Sequence, residues 1–115
     1  VHLMNDTDYC VAIIKPKQPF LDWINSLSGP PEEMKLEDIR EDCTTLLIPE
    51  FEENDKALKY VLSKFEELFI QQLEGWDNED EFWPTNRTKK MFLGWFDVEI
   101  HSMVFDLTYD DSSIH

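Results

Sequence analysis

The chain has 115 residues, 25 Asp and Glu against 10 Lys and Arg, and a formal net charge of −15 at neutral pH. That length suits one domain, and the charge opposes direct nucleic-acid binding or adsorption to an anionic membrane, both of which draw on Lys and Arg. Leu, Ile, Val and Phe supply 33 of the 115 residues, enough apolar content for a folded core despite the charge.

The first eight residues read as a loose lead-in, residues 9–109 as a single α/β domain, and 110–115 as a tail. A first strand is expected over Tyr9 to Lys15, whose continuous apolar character suggests cover on both faces; Pro16 ends it. A helix follows from about Pro19, with Phe20, Trp23, Ile24 and Leu27 on one face and Pro19 in the first turn. Ser28-Gly29-Pro30-Pro31 stops that helix. A short helix over Glu32 to Glu41 would bury Met34, Leu36 and Ile39, and Thr44 to Ile48 reads as a second buried strand closed by Pro49.

Asn54 is a good N-cap residue. From there Leu58, Val61, Leu62, Phe65, Leu68, Phe69, Leu73 and Trp76 keep helical spacing for about five turns, with Gly75 suited to the C′ position. Asp77 to Pro84 reads as a loop. A last helix from about Thr88 presents Met91, Phe92, Trp95 and Phe96, and a third strand over Val98 to Thr108 closes the domain.

The expected fold class is therefore α/β: one small domain with a three-stranded, at least partly parallel sheet and about four helices, in the order β-α-α-β-α-α-β. Connections of more than a dozen residues permit parallel pairing. In element order and acidic charge this is similar to the barstar family of small acidic intracellular ribonuclease inhibitors. No residue motif carries that likeness, so it assigns no family.

The residues that carry chemistry are sparse. Three isolated glycines, Gly29, Gly75 and Gly94, cannot assemble a phosphate-binding loop or a dinucleotide fingerprint, and no cofactor is implied. Cys10 and Cys43 lack partners at zinc-ligand spacing; both open expected strands and could be neighbours if those strands pair, although two small buried residues is the plainer reading. Asp77-Asn78-Glu79-Asp80-Glu81 begins like a calcium loop, but Phe82 stands where the glycine is needed and Thr88 where the bidentate glutamate is needed. No metal site follows. His101 on a strand beside Cys10, oriented by Asp97 or Glu99, would make a Cys-His nucleophile pair; the competing reading is a core histidine, and no catalytic residue is assigned. Asn86-Arg87-Thr88 fits a glycosylation sequon without evidence of secretion.

The charge is uneven. Residues 41–83 hold 13 acids and 3 bases, a net −10 of the total −15. Two acidic stretches stand out: Glu50, Glu52, Glu53 and Asp55 after the second strand, and Asp77, Glu79, Asp80 and Glu81 beside Phe82 and Trp83. The first stretch is also explained by the dipole of the helix it precedes. In the second, an aromatic anchor with a carboxylate rim suits a basic protein surface, provided that Phe82 and Trp83 are not simply packed into the core.

The leading expectation is a small non-catalytic interaction module that binds a basic protein through both acidic stretches, 50–55 and 77–83, with Phe82 or Trp83 as the anchor, as an inhibitor, immunity-like protein or nucleic-acid mimic. The alternatives are a small enzyme using Cys10 and His101, or a domain that forms a homo-oligomer. The longest aliphatic run, Val11 to Ile14, is four residues, far below the ~20 of a spanning helix. With no signal-peptide pattern and only two cysteines, a cytoplasmic location is expected.

Overall fold

The computed structural model describes residues 5–27 and 34–108. The expected helix stop at Ser28 to Pro31, the start of the second helix at Glu32, and most of the two tails lie outside these residues. The chain runs through strand β1 (Asn5–Asp6), strand β2 (Tyr9–Pro16), helix α1 (Gln18–Ser26), the single turn α2 (Leu36–Ile39) and strand β3 (Thr44–Pro49). Helices α3 (Asn54–Leu62) and α4 (Phe65–Glu74) follow, then a 3-10 turn at Asp80–Phe82, helix α5 (Lys89–Trp95), strand β4 (Phe96–His101) and strand β5 (Phe105–Asp106).

The sheet corrects the sequence reading. Its order is β3-β2-β4, and β2 pairs antiparallel with both neighbours, through Ile14 with Thr44 on one side and Val11 with His101 on the other. Among the described residues the sheet has three strands as expected, but none of its pairs is parallel, and five α-helices rather than about four accompany it. Connection length permits a parallel crossover without requiring one. The register decides the direction: Tyr9 stands opposite Pro49 and Ile14 opposite Thr44, so β3 runs back along β2.

The expectation that β2 is covered on both faces also fails. Cys10, Ala12, Ile14 and Pro16 are buried, whereas Val11, Ile13 and Lys15 are partly accessible. This alternation is the signature of an antiparallel sheet with one packed face and one wet face. Ile48 on β3 and Phe96 on β4 join Cys10, Ala12 and Ile14 in the core, against Phe20, Leu21 and Ile24 of α1, Ile39 of α2, Ala57 and Val61 of α3, Phe69 and Leu73 of α4, and Phe92 of α5. Aromatic rings fill its centre: Phe69 meets Phe92, Trp95 and Phe96 edge-on at centroid distances of 5.4 to 5.7 Å, an arrangement favoured by the ring quadrupoles.

Two expected elements are interrupted. The long helix from Asn54 breaks at Ser63-Lys64, where the Ser63 hydroxyl donates to the Tyr60 carbonyl at 2.6 Å, a bond that competes with helix continuation. The break lets α3 lie on β3 and β4 while α4 packs against α5. The apolar stripe reads through it because both helices bury the same side. Glu53, not Asn54, occupies the N-cap, and Gly75 closes α4 with φ of −62°, a right-handed conformation open to any residue. Trp76, which continues the stripe, is exposed.

The strand expected over Val98 to Thr108 likewise ends at His101, and β5 pairs separately with β1. Phe96, expected on the last helix, is instead the first residue of β4. Among the described residues, no helix is long and apolar enough to cross a membrane.

Candidate functional site

The Asp77–Trp83 loop is built outward from the end of α4. The Trp76 and Asp77 amides both donate to the Leu73 carbonyl at 3.0 Å, which carries the chain off the helix. The Asp77 carboxylate then accepts the Glu79 amide at 2.9 Å, a local turn typical of aspartate. Amide bonds from Phe82 to Glu79 O and from Trp83 to Asp80 O close the 3-10 turn.

Two indoles hold this loop from different sides. Trp83 Nε1 donates to the Asp77 carbonyl at 2.8 Å within the loop, and Trp23 Nε1, on α1, donates to the Phe82 carbonyl at 2.9 Å. Further along, Arg87 donates to Pro84 O at 3.0 Å and meets Glu66 of α4 at 3.5 Å. Asn86 takes a positive φ of 55° at this bend, a conformation that asparagine tolerates better than most residues.

The result separates the two aromatics of the loop. Trp83 packs half-buried against the core, while Phe82 is 53% exposed. Glu79, Asp80 and Glu81 are exposed around it and Asp77 is half-buried. A recess of about 290 Å³ adjoins, lined among the described residues by Ser26, Leu27, Asp77 and Phe82.

Glu50, Glu52, Glu53 and Asp55 are exposed as well, but at the other end of β3. They follow Pro49, whereas Gln72 at the end of α4 donates to Thr44 Oγ1 at 2.8 Å and so ties the approach to the Asp77 loop to the start of that strand. A six-residue strand is roughly 17 Å long. The two acidic stretches therefore do not form one continuous patch.

The proposed nucleophile pair does not assemble. Val11 and His101 are cross-strand partners, so their side chains share a face, and Cys10, next along β2, points to the opposite, packed face, where it is 1% exposed. His101 is exposed and contacts Glu99 at 3.4 Å. Nor are the cysteines neighbours: antiparallel pairing sets strand starts at opposite ends, with Cys10 opposite Ile48 and Cys43 beyond the Thr44–Ile14 pair. Among the described residues, no three His, Cys, Asp or Glu side chains converge on a common metal position.

The charged chemistry that does assemble lies on the wet face of the sheet. Lys15 Nζ meets Glu99 at 2.9 Å, and Asp97 receives Lys17 at 3.4 Å and Arg40 at 3.5 Å. The hydrogen bond from Lys15, followed by that from His101, holds the Glu99 carboxyl below the usual glutamate range. A cleft of about 650 Å³ lined by Lys15, Lys35, Leu36, Glu37 and Arg40 borders this network; two of its three cations are already paired with Glu99 or Asp97. The cavity between Phe20, Ile39, Cys43, Gln72 and Trp76 is about 230 Å³, below the roughly 300 Å³ at which small-molecule sites begin.

Sequence spacing missed the Trp23 contact, because it joins residues 59 positions apart. Its only signal was a tryptophan on the rim of an amphipathic stripe, where an indole has both an apolar body and a donor to place. No family model, curated protein or solved structure matches the chain, and the topological likeness to the barstar family gains no support from them.

Proposed function

We propose that the chain is a non-catalytic interaction module whose Asp77–Trp83 loop binds a basic protein surface, with Phe82 as the anchor. The observation that carries this reading is an exposed phenylalanine held in a hydrogen-bonded turn and ringed by Glu79, Asp80 and Glu81. Such a group enters a complex with little backbone entropy left to lose. The carboxylates accelerate encounter with a basic surface, and the ring supplies the desolvated contact that slows dissociation. Glu50 to Asp55 lie outside this surface and act on this encounter only through the long-range negative field.

An inhibitor, an immunity-like protein or a nucleic-acid mimic would all use a site of this kind. The test is affinity capture from a lysate of the source organism, comparing the wild-type chain, Phe82→Ala and a bait with Glu79, Asp80 and Glu81 changed to glutamine. A basic protein retained by wild type at low salt, released by added salt and lost from both variants supports the reading. Equal retention on the Phe82→Ala bait would refute it.

A further inference from the structure

We infer that the outer edge of β3 is a docking site for an extended peptide segment with an apolar centre and basic flanks, which adds to the sheet as a fourth strand. The two edges of this sheet differ. On β4, Asp97, Glu99 and His101 all point to the wet face; Asp97 and Glu99 are joined in ion pairs to Lys15, Lys17 and Arg40, and His101 contacts Glu99 at 3.4 Å. Charged side chains of that kind discourage further pairing. Thr44–Pro49 of β3 carries no charge at all.

The side chains of β3 also leave apolar surface for an added strand to cover. Leu47 is 63% exposed on the wet face, beside Val11 of β2, and Leu46 on the helix side is only half-buried. A strand laid along this edge covers both while its backbone pairs with the outward N–H and C=O groups, the mode by which sheets capture peptides. Pro49, which has no N–H, limits that pairing to Thr44–Ile48.

Charge selects the occupant. Glu41 and Asp42 stand immediately before the edge and Glu50, Glu52 and Glu53 after it, all exposed. A second copy is therefore a poor partner. Antiparallel self-pairing about Leu46 sets Asp42 against Glu50, pairing about Leu47 sets it against Glu52, and pairing between them sets Glu41 against Glu52. Like charges facing one another across strands are destabilising. Lys or Arg on both flanks of an incoming segment converts each of these repulsions into an attraction.

The probe is a synthetic peptide with an alternating valine and threonine centre and lysines at both ends, titrated up to about 1 mM, a concentration that detects weak binding. Controls are its glutamate-ended counterpart and the same lysine peptide N-methylated at alternate centre residues. The lysine peptide is expected to bind, to slow amide exchange within Thr44–Ile48, and to weaken with salt; both controls should fail. Leu47→Lys, at a position exposed enough to leave the fold intact, should weaken binding by up to about fivefold. Phe82→Ala should leave it unchanged, which separates this site from the acidic loop.

No binding by the lysine peptide, equal binding by either control, or protection confined to Asp77–Trp83 would overturn the inference. So would a dimer in sedimentation with Thr44–Ile48 protected in the absence of peptide, which would assign the edge to a second copy.

Discussion

Replacing Trp23 with phenylalanine removes one hydrogen-bond donor from the Asp77–Trp83 loop and leaves the loop's own sequence untouched. The bond from Trp23 Nε1 to the Phe82 carbonyl is 2.9 Å and lies at an exposed position, so water replaces it in the variant. Its loss therefore belongs at the lower part of the usual range for a hydrogen bond, about 0.5–1 kcal/mol. Phenylalanine keeps part of the stacking of Trp23 on Phe20, whose ring centroids are 5.7 Å apart, and the fold should survive. At about 1.4 kcal/mol per factor of ten, the loop should open roughly two- to fivefold more often. Native-state hydrogen exchange reads this directly at the Phe82 and Trp83 amides, which donate to Glu79 O and Asp80 O. Their exchange should accelerate by that factor, while the amides of β2 change only as far as global stability does. Unchanged exchange at Phe82 and Trp83 in the folded variant would show that the indole does not hold the loop.

Other perturbations test the fold and its electrostatics. Phe69→Ala removes a fully buried ring that meets Phe92, Trp95 and Phe96 and should cost about 3–5 kcal/mol in chemical denaturation; a loss below about 1 kcal/mol would contradict the aromatic core. Glu99 is held below its usual pKa by Lys15 and His101, so its contribution is present above the ordinary glutamate pKa of about 4.3 and is lost as pH falls through the lower folded value. Glu99→Gln should therefore be less stable than wild type at neutral pH, with the gap closing in acid; a gap that persists would place the effect elsewhere. Because the net charge is −15, moderate added sodium chloride should raise the unfolding midpoint by screening self-repulsion, and a falling midpoint would show that attractive pairs dominate.

Much of the element order was legible because local periodicity encodes it. Thr88 was placed at the start of a helix, and it does cap α5, its hydroxyl accepting the Met91 amide at 3.1 Å. Sheet direction was not legible: the same Tyr9 to Lys15 run serves a parallel or an antiparallel strand, and direction is fixed only by the long-range register that sets Tyr9 opposite Pro49 and Ile14 opposite Thr44. The wet face was hidden for a related reason. Val11 and Ile13 are as apolar as Ala12 and Ile14, so alternation is absent from the letters although it is present in the burial.

At the candidate site, sequence brought Phe82 and Trp83 together with their carboxylates but could not divide their roles. That division depends on the Trp83 indole turning inward to Asp77 O and on a contact from distant Trp23. The acidic stretches 50–55 and 77–83 were adjacent in composition only; the length of β3 separates them. Cys10 and His101 lay within reach of one another on paired strands, and a one-residue difference in register parity put them on opposite faces.

The central claim is that Phe82 is the contact point for a basic partner, and a photo-crosslinking phenylalanine analogue at position 82 tests it most directly. Irradiation at low salt in a lysate of the source organism should give a discrete adduct with a basic protein, diminished by added salt and by neutralising Glu79, Asp80 and Glu81. The same analogue at Leu93, which is also exposed but lies on α5, should not give that adduct. No adduct from position 82, or the same adduct from both positions, would contradict the account.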